Sequence, residues 1–452
     1  MCHFVEKYNV PGPRYTSYPT VPYWDLDSFS GKAWKQRVQN VFLQRQNEGI
    51  GLYIHLPFCE SMCTFCGCHK RITKRHEVEL PYIQSVLKEW RLYVELLGKK
   101  PILKELHLGG GTPTFFSPEN LELLIKGILY YAEKAEDPHY SFEGHPNNTT
   151  KQHLQTLFNL GFKRVCFGVQ DYSKKVQRAI NRVQPFEHVA QVTDWAREIG
   201  YTSVGHDIIY GLPFQTEDDV KYTIEKTVQI RPDRIAFYSY AHVPWRKGNG
   251  QRGYQDEDLP NAQQKDEQRK LGKRLLLAAG YEEVGMDHFA LAQDALTLAK
   301  NLGKLHRSFM GYTENRTALQ LGLGVSSIGD SGNAFAQNVK SLEEYQNLVS
   351  HDILPLSKGH LLNREDGIIR KHILQLMCQF ETTWDDDIKS LENYPQILEH
   401  LRMLEADGLV TLNGKGLKVT ATGTAFIRNI CMAFDLRLQQ KSFERKLFSM
   451  TV

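Results

Sequence analysis

From residue 50 to residue 241 the chain alternates between two kinds of apolar pattern. Short runs rich in β-branched and aromatic residues fall at 51–55, 104–108, 140–143, 164–169, 203–209 and 234–240, and each reads as a strand. Helical patterns separate them. Leu80, Ile83, Leu87, Trp90, Val94 and Leu97 form a stripe at helical spacing that Gly98 terminates. Ser117 followed by Pro118 is an N-cap and first-turn pair for a helix predicted to run to about residue 133. Thr216 with Asp219 three residues on has the form of a capping box. Strand and helix alternating six times predict a parallel sheet with right-handed crossovers, an α/β fold. Six units rather than eight point to an incomplete (β/α)6 barrel, although the count does not separate an open curved sheet from a doubly wound one. Residues 242–355 carry no clear period and read as mixed helices and loops. From about 356 a smaller, mostly helical portion is expected. There a helix to Asp407, Gly408 as its stop, and the runs 409–412 and 417–420 about Asn413-Gly414 resemble a winged helix. The expected division is thus 1–49 as an N-terminal arm and helix, 50–355 as the barrel with its extension, and 356–452 as the C-terminal portion.

Composition narrows the class. At 452 residues the chain exceeds one typical domain, and 41% hydrophobic with 24% charged residues is ordinary for a soluble globular protein. The net charge of +3 supplies no global field for nucleic acid or a membrane surface, so any anionic ligand must be held by local Arg and Lys. No segment reaches the length of uninterrupted apolar residues that spans a bilayer, and the first residues lack a basic stretch leading into an apolar one. A cytoplasmic protein is expected. It is also expected to be a monomer, since no heptad or second apolar seam is visible.

Four of the eight cysteines fall in Cys59-Glu-Ser-Met-Cys63-Thr-Phe-Cys66-Gly-Cys68, directly after the first predicted strand. Thiolates this crowded suit a soft metal or an iron–sulfur cluster better than disulfides. Structural zinc sites separate their C-x2-C pairs by a dozen or more residues, and bacterial ferredoxins use C-x2-C-x2-C-x3-C. The remaining cysteines (Cys2, Cys166, Cys378 and Cys431) are expected to be mostly buried thiols. The other distinctive polar groups fall at predicted strand ends: Gly109-Gly110-Gly111-Thr112 after the second, Glu143 at the third, Gln170 at the fourth, Asp207 at the fifth and Ala241 after the sixth. Parallel α/β folds place their sites at that edge, so one mouth lined by six loops is predicted. Taken singly, Glu143, Gln170, Arg182 and Asp207 read equally well as solvated or capping residues. The glycine run read alone is a flexible turn, and it lacks the spacing of a phosphate loop or a dinucleotide fold. The scattered histidines form no metal spacing. The winged tail has mixed charge and reads as a packing lid rather than a nucleic-acid module.

The C-x3-C-x2-C spacing, with Phe65 before the third cysteine, resembles the radical S-adenosylmethionine superfamily, in which three cysteines hold three irons of a 4Fe–4S cluster and leave the fourth open for the cofactor. Over nearly the whole chain the sequence is similar to the oxygen-independent coproporphyrinogen III oxidase family. That resemblance rests on the arm from Lys7 to Thr20, the cysteine loop with its extra Cys68, and the segments 109–114, 168–171, 209–213, 286–290, 322–326 and 428–431. It implies that Cys59, Cys63 and Cys66 ligate the cluster and that Cys68 does not. It implies two S-adenosylmethionine molecules per chain, with Tyr53, Gly110, Glu143 and Ile328 around the first. Phe65, Gly111, Thr112, Gln170, Arg182, Asp207 and Ala241 would surround the second. The implied reaction removes CO2 from two propionates of coproporphyrinogen III through a 5′-deoxyadenosyl radical, leaving vinyl groups. Tyr53 is expected at the reacting centre, and Arg14 and Arg307 are the candidate partners for substrate carboxylates. An electron donor such as flavodoxin or ferredoxin is implied, together with an acceptor that the sequence does not identify. A haem chaperone or haem-modifying relative is the alternative.

Overall fold

The computed structural model describes residues 2–246, 248, 250–440 and 447–451. Twelve strands form one sheet. In chain order they are β1 Ile50–Leu56, β2 Ile102–Gly110, β3 Glu133–Gly144, β4 Phe162–Gln170, β5 Ser203–Tyr210, β6 Arg234–Ser239, β7 Tyr281–Glu283, β8 His288–Leu291, β9 Gln320–Leu323, β10 Ile328–Asp330, β11 Ala334–Asn338 and β12 Leu356–Leu361. Their spatial order is β12-β11-β10-β9-β1-β2-β3-β4-β5-β6-β8-β7. Neighbours from β1 to β6 run parallel, as the alternating pattern predicts, and β9 adds a seventh parallel strand against β1. The remaining pairs are antiparallel.

The two faces of β1–β6 differ in chemistry. Leu52, Ile54 and Leu56 of β1, Leu106 and Leu108 of β2, and Phe142 of β3 are fully buried against the surrounding helices and form the main core. The alternate residues point the other way. Tyr53, His107, Glu143, Cys166, Asp207 and Tyr238 line cavities on the concave side. A period of two therefore separates an apolar outer face from a polar interior within each strand.

Local signals explain most helix ends. Helix Glu79–Leu97 stops at Gly98, whose φ of +76° suits a left-handed cap. Ser117 caps helix Pro118–Tyr130 by accepting from the Asn120 amide, and the Thr216/Asp219 capping box is complete. The helix that Ser117 opens ends earlier than predicted because β3 begins at Glu133.

The buried face of Glu79–Leu97 keeps Ile83, Trp90 and Leu97 of the expected stripe but is wider than it. Leu80 is exposed, while Tyr82, Val86, Glu89 and Tyr93 are buried. Glu89 holds its place by accepting from the Gly324 amide (2.8 Å), the Asn338 side chain (2.7 Å) and the Tyr345 hydroxyl (2.6 Å). Burial outweighs these donors and pushes its pKa from the ordinary carboxylate value up to about 7. The folded protein then keeps a proton that the unfolded chain has lost, so this residue's contribution to stability falls as pH rises from about 4.5 through about 7. Glu89→Gln is expected to flatten the pH dependence of Tm between about pH 5 and 7.5, an effect on the order of 3 kcal/mol across the window. Thermal melts of both proteins over that range test it, and parallel slopes would sink the assignment.

The C-terminal portion contains helices Arg364–Gln379 and Tyr394–Ala406 and a three-stranded antiparallel sheet in which Glu381–Thr383 pairs with Gly416–Val419, and that strand with Val410–Asn413. The arm packs into it. Val5, Tyr15 and Tyr18 share a core with Ile369, Leu376, Leu401 and Phe434. Arg428 clasps both chain ends, donating to the carbonyls of Gly12 and Pro13 in the arm and of Ser449 and Met450 in the tail.

Candidate active site

The loop following β1 carries the cysteines, and each has a different partner. The Cys59 thiol lies 3.3 Å from the Thr112 hydroxyl, and Arg182 reaches Cys63 Sγ at 3.6 Å. A hydrogen bond from Cys68 lowers the Cys66 pKa to about 6, while burial pushes Cys59 up to about 11. Cys59, Cys63, Cys66, Cys68, Cys166, Cys378 and Cys431 are free thiols. Cys59, Cys63 and Cys66 open into one cavity of about 570 Å³. Phe65, Gly111, Thr112, Gln170, Arg182 and Asp207 line the same cavity. A second cavity of about 470 Å³ adjoins it and is lined by Tyr53, His55, His107, Ile328 and Met310 among others. Gly110, Glu143 and Cys68 belong to both walls.

Among the described residues no three Cys, His, Asp or Glu groups converge on a single metal ion. Ligation of a cluster, with one thiolate on each of three irons, spreads the sulfurs more widely than one ion does. The donor set is soft and unpaired, as a cluster requires. The backbone beside it is cleared of side chains. A Cβ on Gly111 would lie 2.6 Å from Pro57 C and O, and one on Gly110 2.8 Å from the His55 ring. Arg182 is held at the thiol cavity by the Gly168 carbonyl (2.5 Å), and its buried Nε has no partner among the described residues. Gln170 sits at φ +68° and is buried, a non-glycine in the left-handed region at the end of β4. These residues fit a 4Fe–4S cluster with S-adenosylmethionine beside it: sulfur ligands, a cradle of glycines, and an unsatisfied cation for a carboxylate.

The Tyr53 side has a fixed proton arrangement. His55 Nε2 lies 2.9 Å from the His69 carbonyl, which only accepts, so Nε2 carries the proton. His55 Nδ1 therefore accepts from the Tyr53 hydroxyl at 3.1 Å. Burial pushes the His55 pKa down to about 4 and raises that of Tyr53, so both are neutral near pH 7. Tyr53 also stacks on His107, whose Nε2 is 3.5 Å from Glu143. Asp207 is pushed up to about 7, first by burial and then by the nearby Glu143 charge, and Cys166 donates to it at 3.3 Å.

Three expected site residues lie apart. Arg14 donates to Asp287 (2.9 Å) and to the Ser239 carbonyl (2.7 Å) and lines a crevice beside Arg428 rather than either large cavity. Arg307 is buried over the Tyr312 ring, 4.5 Å from its centroid, and its Nη2 donates to the Arg14 carbonyl. Each guanidinium is partly engaged within the fold, and among the described residues Arg307 Nε is buried without a partner. Ala241 lines neither cavity; its carbonyl accepts from Gln251 Nε2 at 2.7 Å. Conversely, among the described residues Arg246 and Lys340 line the Tyr53 cavity, beside Phe309 and Met310. Basic residues outside any recognisable element gave the sequence no signal for them. His55 was visible only as one of several histidines, although its spacing of two from Tyr53 puts both on one face of β1.

Residues 53–227 match the Radical SAM superfamily. Oxygen-independent coproporphyrinogen III oxidase of Helicobacter pylori is 38% identical to this chain, over 98% of each sequence. The Escherichia coli protein of the same name is also 38% identical, over 97% of this chain and 95% of that one. The solved structure of Escherichia coli coproporphyrinogen III oxidase, described as a radical SAM enzyme, superposes with a TM-score of 0.86 at 37% identity, covering 94% of this chain and 97% of that one. The chain belongs, within the radical SAM superfamily, to the oxygen-independent coproporphyrinogen III oxidase family.

Proposed function

We infer that this chain oxidatively decarboxylates two propionate side chains of coproporphyrinogen III to vinyl groups without oxygen, yielding protoporphyrinogen IX in haem biosynthesis. The observation that carries the reading is the pair of adjoining cavities at the cysteine loop of a chain similar end to end to enzymes of that name. When bound, the cluster and S-adenosylmethionine supply one-electron cleavage of a sulfonium and removal of hydrogen from the propionate β-carbon.

The chain's own residues bind, orient and exclude water. Cys59, Cys63 and Cys66 are the proposed ligands, and Cys68 stays free. Two S-adenosylmethionine molecules per chain are proposed. Tyr53, Gly110, Glu143 and Ile328 would surround one, and all four line the Tyr53 cavity. Phe65, Gly111, Thr112, Gln170, Arg182 and Asp207 would surround the other, with Ala241 at its edge, and the first six line the thiol cavity. Arg182 suits a cofactor carboxylate, and Glu143 and Asp207 suit ribose hydroxyls or a cationic centre. The Tyr53 hydroxyl, its proton committed to His55, keeps its oxygen lone pairs available to the reacting centre. Phe309 and Met310 offer apolar contact to a macrocycle, and Arg246 and Lys340 offer charge to its carboxylates. Arg14 and Arg307, which also hold the arm, are proposed as further partners for substrate carboxylates on the family resemblance. We propose a cytoplasmic monomer with no nucleic-acid role, supplied by a one-electron donor such as flavodoxin or ferredoxin. The division at 1–49, 50–355 and 356–452 is proposed with β12 counted with the sheet. Among the described residues no helix is long and apolar enough to cross a membrane.

Anaerobic incubation of the reconstituted, reduced protein with S-adenosylmethionine and coproporphyrinogen III tests the reading. Mass spectrometry is expected to find loss of two CO2; unchanged substrate would move the weight to a haem-handling relative. Lys340→Glu is expected to raise KM for coproporphyrinogen III about tenfold, equivalent to about 1.4 kcal/mol, with kcat nearly unchanged. An unaltered KM would remove Lys340 from the substrate's reach.

A further inference from the structure

Immediately after the cysteine loop the chain reads His69-Lys70-Arg71-Ile72-Thr73-Lys74-Arg75-His76, four cations with no carboxylate in a protein whose net charge is only +3. A charge run is most often a solvated face. Two observations set this one apart. Arg71–Ile72 pairs in parallel with Phe58–Cys59: the Arg71 amide donates to the Pro57 carbonyl (2.8 Å) and the Thr73 amide to that of Cys59 (2.9 Å). The basic strand is thus bonded directly to the backbone of a proposed cluster ligand, and Lys70 Nζ adds a bond to the Cys66 carbonyl at 3.2 Å. At its centre Ile72 is 38% exposed, an apolar side chain flanked in sequence by Arg71 and, two to three residues away, Lys70, Lys74 and Arg75. Interfaces enrich arginine beside apolar contacts, and a solvated charge run needs no exposed apolar residue. Three carboxylates lie near the four cations, which leaves the segment net positive. Glu343 pairs with Arg71 at 2.8 Å, and Glu60 and Glu77 are exposed at its margins.

We propose that the exposed face of the segment 69–76, carried by Arg71, Ile72 and Arg75, is the docking surface for a small acidic protein that delivers one electron to the group held by the cysteine loop. The proposal rests on the reading above, since that reaction needs electrons singly. The transfer balances simply: the carrier is oxidised by one electron, the cysteine-held group is reduced by one, and no proton or bond moves. Charge complementarity steers an acidic partner to this face, and contact at Ile72 brings it within two hydrogen-bonded residues of Cys59.

Arg71→Glu/Arg75→Glu alters only exposed side chains, neither of which lines a cavity. With the holoenzyme at low ionic strength, its reduction by flavodoxin hydroquinone, followed by visible absorbance, is expected to slow at least tenfold relative to the parent protein. The Kd for oxidised flavodoxin, by calorimetry, is expected to rise in step, and both differences shrink in high salt. Reduction by dithionite and dithionite-driven decarboxylation stay unchanged. An unaltered flavodoxin rate overturns the proposal. A matching loss under dithionite also overturns it, because the segment would then belong to the substrate or cofactor site. If the parent protein releases no CO2 under dithionite, the functional reading fails, while the flavodoxin rates still decide the docking.

Discussion

Cys59→Ala, Cys63→Ala and Cys66→Ala are each expected to abolish iron–sulfur content and turnover, whereas Cys68→Ser keeps its iron. The four thiols differ in what surrounds them. Cys59 lies against Thr112, Cys63 against Arg182, and both open with Cys66 into the cavity framed by Gly111 and Gln170. Removing any one leaves an iron without a protein ligand; the other free thiols on that cavity are Cys68 and Cys166, and Cys68 is the one within the loop. That thiol sits where the two cavities meet and is exposed. Its hydrogen bond to Cys66 stabilises a thiolate there, so Cys68→Ser retains a donor of the same shape while removing sulfur. Iron and sulfide analysis after anaerobic reconstitution reads the result. Iron lost from Cys68→Ser would reassign the ligand set.

Gly111→Ala is expected to lower turnover by at least about a hundredfold and to impair cluster loading, even though no ligand changes. The added carbon would meet Pro57 C and O at 2.6 Å and Phe58 O at 2.8 Å, all backbone atoms. Those atoms cannot turn aside as a flexible side chain would. They are pinned by the Gly111 amide on the Leu56 carbonyl (2.8 Å) and the Thr112 amide on the Phe58 carbonyl (3.0 Å). Relief must come from moving the strand that carries Cys59, and overpacking of this kind also costs about 1–3 kcal/mol of stability. Gly67→Ala is the control. It lies within the same loop, yet a Cβ there meets nothing within 4 Å. Equal loss in both variants would mean that loop flexibility, not the close approach, is what the glycine supplies.

The parallel core was legible because its strands are apolar runs long enough to stand out between helical stripes, and because polar groups interrupt them at one end. The cysteine loop was legible because its chemistry is local. The other half of the sheet was not. Strands such as Tyr281–Glu283 and Ile328–Asp330 have three residues each, too few for a period to register, and depend on neighbours distant in sequence. Glu89 was hidden for a related reason: a carboxylate on a helix reads as solvent-facing until its three donors, two of them beyond residue 330, are brought to it. The surroundings of Arg14 and Arg307 were not legible, because charge alone does not reveal whether a guanidinium is already engaged. Asp287, which meets Arg14, and the Arg14 carbonyl, which meets Arg307, are both distant in sequence from their partners.

The pairing of β1 with β9 sets an order of events during synthesis. β1, which leads into the cysteines, lies inside the sheet, with β2 on one side and β9 on the other. Its first neighbour emerges from the ribosome soon after it, but Gln320 follows Leu56 by about 260 residues. At roughly 5–20 residues per second the nascent chain therefore carries β1 as an open edge for tens of seconds. Ile328, on the wall of the Tyr53 cavity, arrives later still. The Tyr53 cavity, unlike the cysteine loop itself, is accordingly completed only on a nearly full-length chain.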